Sequence, residues 1–280
     1  MRLALNNQAR IEIADQILHD GSAYLSLLQP HLLCSLILIE PGIDEASPTS
    51  AVQQGIARCA QLSLNSPDTW PSIQAAQKYT ASNPLFQTWD PRVVRRWLQY
   101  GLRDISPTGT GTTPSLQQRN QSTATPVTLT TPRHQEMLVY KRRAEPTASS
   151  HPPPGNTHPP YYRSEPHRVL ALLSHLRPST LYLIAGQSPL CSPHLRKLRL
   201  HLTGTGVGGS GGAICGRVRE AHIRGCGHSL GLEGVVECAD ESASWLGGEL
   251  EQWRQGLDDR KGGREGVKAG QEGQGIRSRL

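Results

Sequence analysis

The chain has 280 residues and a mass of 30.5 kDa, enough for one large α/β domain or two smaller ones. Hydrophobic residues make up 36% of it, mean hydropathy is -0.44, and Gly and Pro together contribute about a sixth, so the chain is loop-rich without being low in complexity. The longest apolar run, Leu32 to Ile39, is too short for a membrane span, and a net charge of +6 scattered over loops, with one Phe and no nucleic-acid-binding signature, argues against a nucleic-acid partner.

In chain order, Tyr24, Leu25, Leu27 and Leu28 form a short helical run interrupted near Pro30. The following segment, SLILIEP, ends at Glu40 and Pro41 and reads as a buried strand of a parallel sheet. Residues 60–105 read as helical, with Trp70, Phe86, Trp89, Trp97 and Leu98 as apolar anchors. Residues 106–167 are rich in Thr, Ser, Pro and Gly and read as long loops or disorder. A second buried strand spans Thr180 to Ala185. Ser192 and Pro193 then supply the N-cap and first residue of a helix carrying Leu195, Leu198 and Leu202. Val218 to Ile223 is a third strand. Beyond it, Leu232, Val235, Val236, Ala239, Ala243, Leu246, Leu250 and Trp253 recur at helical spacing and define one buried stripe. Strands alternating with helices predict an α/β fold with a mostly parallel sheet, and the middle segment is then an inserted helical and loop lid.

Cysteines 34, 59, 191, 215, 226 and 238 include no CxxC pair, and no secretory signal pattern opens the sequence, so reduced structural thiols are expected. Cys215, Cys226 and His228 do not have the spacing of a zinc site, and no metal or other cofactor enters this reading. Gly204 to Gly209 matches GxGxxG but follows a helix where a dinucleotide site needs a strand. Gly208 to Gly212 and Gly227 to Gly231 both fit GxSxG. The first lacks flanking elements, and the second lacks any histidine downstream of Ser229 to serve as its base. His228 fits better as the base itself, in the turn between the last strand and the last long helix. The final residues, Ser278, Arg279 and Leu280, carry the chemistry of the SKL-type peroxisomal address, behind a Gly-rich, charged tail that is expected to stay unpacked and leave them accessible to an import receptor.

Several stretches resemble a fungal α/β-hydrolase family that includes peroxisomal lipases and hydrolases of toxin biosynthesis. They are YLSLLQPHLLCSLILIEPGI (24–43), DTWPSIQAAQKYTASNPLFQTWDPRVVRRWLQYGLRD (68–104), VTLTTPRHQEM (127–137), LRPSTLYLIAGQSPLCSPHLR (176–196), and TGTGVGGSGG with GCGHSLGLE (203–212 and 225–233). The resemblance implies an α/β-hydrolase fold, a peroxisomal location, and hydrolysis of an acyl or lipid-like substrate. It places the catalytic histidine at His228. Glu40, at the end of the SLILIEP strand, is the candidate triad acid, because the alternative acid loop holds Gln187 and Ser188 instead of a carboxylate.

The nucleophile departs from the pattern. The elbow serine is expected roughly fourteen residues before Pro30, where Gln16 stands. Ser22 is a poor substitute because it lies inside the helix that follows the elbow. The first strands and the oxyanion-hole loop have no counterpart in the opening twenty residues. The expectation is therefore a truncated α/β-hydrolase fold: a core remnant over 1–45, a partly disordered lid over 46–167, a core carrying the histidine over 168–256, and a disordered tail over 257–280. Such a chain is expected to be an acyl hydrolase impaired for want of a nucleophile. The competing expectation is a non-enzymatic binding protein using Trp89, Trp97 and Tyr100.

Overall fold

The computed structural model describes residues 11–14, 19–45, 51–105, 125–135, 165–188, 190 and 192–274. The chain divides into a unit of Met1–Cys238 and a unit of Ala239–Leu280.

The first unit is organised by four parallel strands in the order β1 (Ile11–Ala14), β2 (Ser35–Ile39), β6 (Ser179–Ala185) and β7 (Val218–Ile223). Register runs Ile11 against Ser35, Ser35 against Ser179, and Thr180 against Val218. β6 is buried along its whole length and β2 at four of its five residues, as near-continuous aliphatic sequence dictates for strands covered on both faces. β1 is a strand that sequence periodicity did not reveal, since four residues, IEIA, are too few to establish a pattern.

Between β1 and β2 runs helix α1 (His19–Leu28). Its inner face consists of Ser22, Ala23 and Ser26, while Leu25 and Leu28 point outward. Small residues let a helix backbone approach a neighbour closely, and Ser26 satisfies its own hydroxyl on the Ala23 carbonyl at 2.8 Å. α1 packs against α6 (Glu165–Leu172). One core cluster joins Ala23 of α1, Leu36 and Leu38 of β2, Val169 of α6, and Tyr182 and Ile184 of β6. Tyr182 donates or accepts at Thr203 Oγ1, 2.8 Å away, and full burial pushes its phenol up to about 12.

The insertion between β2 and β6 has its own core. Helices α2 (Ala51–Asn65), α3 (Ile73–Ser82), α4 (Pro84–Gln87) and α5 (Pro91–Tyr100) bear out the helical reading of this stretch. To them the structure adds a small antiparallel sheet in the order β3 (Thr69–Trp70), β5 (Val127–Leu129), β4 (Leu102–Asp104). Three of these helix starts are chemically marked: Ser72, Asn83 and Asp90 cap α3, α4 and α5 through side-chain oxygens, with Pro84 and Pro91 at the first helical positions of α4 and α5. Trp70, Ile73, Ala76, Leu102 and Val127 form the buried centre. Phe86 bridges Trp89 and Trp97 with ring centroids at 4.7 and 4.8 Å, and Trp70 meets Trp97 edge-on at 6.0 Å. Most of the stretch read as loop, 106–124 and 136–164, lies outside the described residues.

After β6, Ser192 caps α7 (Pro193–Leu202) by accepting from the Leu195 amide at 3.2 Å. The last elements are the short α8 (Leu230–Glu233) and the long α9 (Val235–Gln274). Two sequence expectations differ here. The buried line of α9 passes through Cys238, Ser242 and Trp245, whereas Val236, Leu250 and Trp253 of the anticipated stripe are exposed. Apolar residues occupy two adjacent lines of this helix, and a tryptophan stands in each, at 245 and 253, so spacing and side-chain size alone do not select the buried one. The helical backbone also continues to Gln274, through most of the segment read as an unpacked tail; no proline follows Pro193 to break it.

Candidate active site

In an all-parallel sheet every strand delivers its carboxyl end to the same edge, and side chains in the loops beyond that edge converge. Glu40 follows β2, Gly186 and Gln187 follow β6, and His228 lies five residues beyond β7.

Glu40 is held on three counts. Its amide donates to the Leu183 carbonyl at 2.9 Å, extending the β2–β6 ladder by one step. Its Oε1 accepts from the Ala185 amide at 2.6 Å, and its Oε2 lies 3.1 Å from His228 Nδ1. The residue is 3% exposed, and its φ of 51° is the single left-handed value at a non-glycine position among the described residues. An L-residue in that region costs about 1–2 kcal/mol, and its occurrence at a residue preceding a proline, where extended backbone is favoured, shows that the surroundings impose it.

His228 sits in a loop fastened at several points. Gly225 takes φ 78° to turn the chain out of β7, a conformation open to glycine without penalty. Gln187 N–H donates to the Cys226 carbonyl at 3.0 Å, tying the loop after β6 to the loop after β7. Gly227 N–H donates to Glu233 Oε2 at 2.6 Å. The N–H of Asp90, in the insertion, donates to the Leu232 carbonyl at 2.8 Å, so the cap is attached to the element that follows the histidine. With a proton on Nδ1 directed at Glu40, the ring lone pair resides on Nε2.

The structure thus brings His228 and Glu40 into hydrogen-bond contact. Gln16, at the expected elbow position between β1 and α1, lies outside the described residues, as do Ser278, Arg279 and Leu280. Ser22 is buried in α1, and the Ser229 carbonyl accepts from Leu232 and Glu233 at the start of α8. Sequence reasoning missed Glu233 as the brace of the histidine loop; an acid five residues after His228 was the available signal. Cys226 and Cys238 border this loop, and burial and the carboxylate of Glu237 push both thiols up, Cys238 to about 12, which leaves them poor nucleophiles. Of the three aromatic residues proposed as binding contacts, Trp89 and Trp97 pack on Phe86, whereas Tyr100 is exposed beneath the Arg96 guanidinium.

A parallel sheet crossed by helices, interrupted by a cap between two central strands, and carrying an acid and a histidine at one edge defines the class: the chain has an α/β-hydrolase fold. Its relatives by sequence are fungal hydrolases of that class. It is 31% identical over 248 residues to the type I acyl-CoA thioesterase mpaH of Penicillium roqueforti, a match covering 82% of this chain and 57% of that protein. It is 26% identical over 226 residues to the abhydrolase domain-containing protein AFT2-1 of Alternaria alternata, covering 80% of this chain and 78% of that one. The chain thus spans little more than half the length of its Penicillium relatives. Among solved structures, the peroxisomal α/β-hydrolase Lpx1 of Saccharomyces cerevisiae superposes with a TM-score of 0.55 at 13% identity, over 88% of this chain and 54% of that one. An E-2-(acetamidomethylene)succinate hydrolase superposes with a TM-score of 0.52 at 10% identity, over 84% of this chain and 66% of that one. These two likenesses concern the fold. No family model matches the chain.

Proposed function

We propose that the chain carries an acyl-hydrolase site in which His228 is the general base and acid and Glu40 orients its imidazole, with turnover impaired because residues 15–18, between β1 and α1, include no hydroxyl or thiol. The observation that carries this reading is the Glu40 carboxylate, buried and shared between the Ala185 amide and His228 Nδ1. A carboxylate so placed fixes the ring tautomer and stabilises the imidazolium that forms when Nε2 takes a proton. Residues 15–18 read Asp-Gln-Ile-Leu, so the segment between β1 and α1 holds no serine, threonine or cysteine to act as the nucleophile of a serine-type hydrolase. Water is then the nucleophile. His228 Nε2 removes a proton as the water oxygen adds to the acyl carbonyl, and the same proton passes to the leaving group as the tetrahedral adduct collapses. A thiol leaves more easily than an alcohol, its free pKa being about 8.5, and the sequence relatives named as acyl-CoA thioesterases agree with a thioester substrate.

The test is hydrolysis of a short acyl thioester beside labelling with a fluorophosphonate probe. Slow hydrolysis is expected, lowered roughly 10²- to 10⁴-fold by His228→Ala, with no covalent label. Labelling that Ser22→Ala or Ser229→Ala removes would identify a serine enzyme and end the impaired reading; hydrolysis indifferent to His228→Ala would end the assignment of the base.

The missing hydroxyl also favours a second reading, a binding protein on the same scaffold that retains acyl ligands without cleaving them. Thermal stabilisation by a non-hydrolysable acyl thioether, with no turnover of the thioester, is its signature. For either reading we place the protein in the peroxisome, addressed through Ser278, Arg279 and Leu280.

A further inference from the structure

At the opposite edge of the sheet, where strands begin, the chain between α7 and β7 folds into a glycine-rich loop over residues 203–217. Its backbone is pinned to the turn that precedes β6: the amides of Gly204, Gly206 and Ser210 donate to the carbonyls of Leu173, Ser174 and Leu176 at 2.8, 2.8 and 2.9 Å. The Gly211 amide closes back on the Gly204 carbonyl at 2.9 Å. Two β-turns project from this base. Gly209 N–H bonds to the Gly206 carbonyl at 3.0 Å, and Gly216 N–H to the Ala213 carbonyl at 3.0 Å. The second residue of the first turn is Val207 and of the second Ile214, and they are 97% and 98% exposed. Turn positions favour Pro, Asp, Asn, Ser and Gly, so a β-branched aliphatic side chain standing almost wholly in water at the tip of each of two adjoining turns has no local cause.

The surroundings are positively charged. No Asp or Glu occurs between Glu165 and Glu220; of the cations in that span Arg199 is buried on the Ile43 carbonyl and Arg196 is paired with Glu220, whereas Arg177, Arg217 and Arg219 flank the loop and its anchor. Arg177 is exposed next to Leu176, which anchors the loop, and the Arg217 amide bonds to the Gly212 carbonyl at 3.0 Å. No aromatic residue occurs between Gly186 and Arg224, so the span lacks the stacking groups a single-stranded nucleic acid would use.

We propose that this loop is a peripheral docking surface for an anionic lipid bilayer, with Val207 and Ile214 entering the headgroup and acyl boundary and the basic base of the loop lying over the lipid phosphates. Peripheral attachment takes two weak signals acting together, apolar insertion and charge, and the loop supplies both on a backbone whose order is already fixed. The docking edge and the Glu40–His228 edge are separated by the length of the strands, about 20 Å, so a docked molecule presents its reactive edge to the aqueous phase.

The test is flotation of the full chain with vesicles of phosphatidylcholine alone and of phosphatidylcholine with phosphatidylserine. Binding is expected to the anionic vesicles, to fall with added salt, to fall about a hundredfold in V207S/I214S, and roughly tenfold in R177E. Circular dichroism and thioester hydrolysis in solution are expected to be unchanged in V207S/I214S, which separates failure of this proposal from failure of the hydrolase reading. Absence of flotation with anionic vesicles, or equal flotation of V207S/I214S, overturns the proposal. So does a shift of the unmodified protein to a dimer that V207S/I214S abolishes, because the two side chains would then cover a second copy.

Discussion

Glu40 combines three roles in one residue: it ends a strand, accepts a buried backbone proton and holds the histidine ring. These can be separated. In Glu40→Gln the amide oxygen still accepts from Ala185, so the midpoint of urea unfolding should move little, while the amide nitrogen now faces His228 Nδ1–H and the ring loses its orientation. Thioester turnover should fall roughly a hundredfold or more; unchanged turnover with an intact fold would remove Glu40 from the mechanism. The residue types of this pair and their places after two strands are legible in the sequence, because SLILIEP and the turn before the last helix stand out by composition. The left-handed backbone at Glu40 is not, since a glutamate followed by a proline predicts extended geometry. The brace from Glu233 to Gly227 was equally hidden, being a contact made within a turn whose shape depends on the glycines around it.

Between elements, the loop that carries Glu40 is anchored by a helix that contributes nothing else to the site. Arg199 of α7 is 1% exposed, and its Nε donates to the Ile43 carbonyl at 2.8 Å, with a second bond from its terminal nitrogen. Removing a charged donor from a buried acceptor costs about 1–3 kcal/mol, so Arg199→Met should lower unfolding free energy by that amount in urea titration. Turnover should fall with it, as the loop is released. A second anchor lies at the start of α5. The Arg92 guanidinium and amide hold the Asp90 carboxyl at about 2, down from 3.8. Its folded value is depressed, so the capping contribution is complete above 3.8 and is lost as pH falls toward 2. Asp90→Ala should therefore lower the melting temperature at pH 6, and the difference from the unmodified protein should vanish near pH 2. The helices of the insertion are readable in sequence. Its strands are not, for two- and three-residue strands carry no period.

At the scale of the molecule, the parallel sheet was legible from three apolar runs, and the α/β class followed from their alternation with helices. The line of burial on α9 was not, because composition offers two adjacent apolar lines and only packing chooses between them. The proposed address at Ser278, Arg279 and Leu280 is checked with a fluorescent protein fused ahead of residue 1. Punctate signal coincident with a peroxisomal marker is expected, and deletion of Leu280 should spread it through the cytosol; punctate signal without Leu280 would refute the address.

The amide of Asp90 is donated across to the Leu232 carbonyl, from the insertion to the element behind the histidine. In deuterium oxide that single hydrogen becomes a gauge. It exchanges when the two parts separate and is retained while they stay joined, so the rate at one backbone position reads out separation of the insertion from the segment behind the histidine, and a bound acyl ligand that keeps the two parts together should slow it.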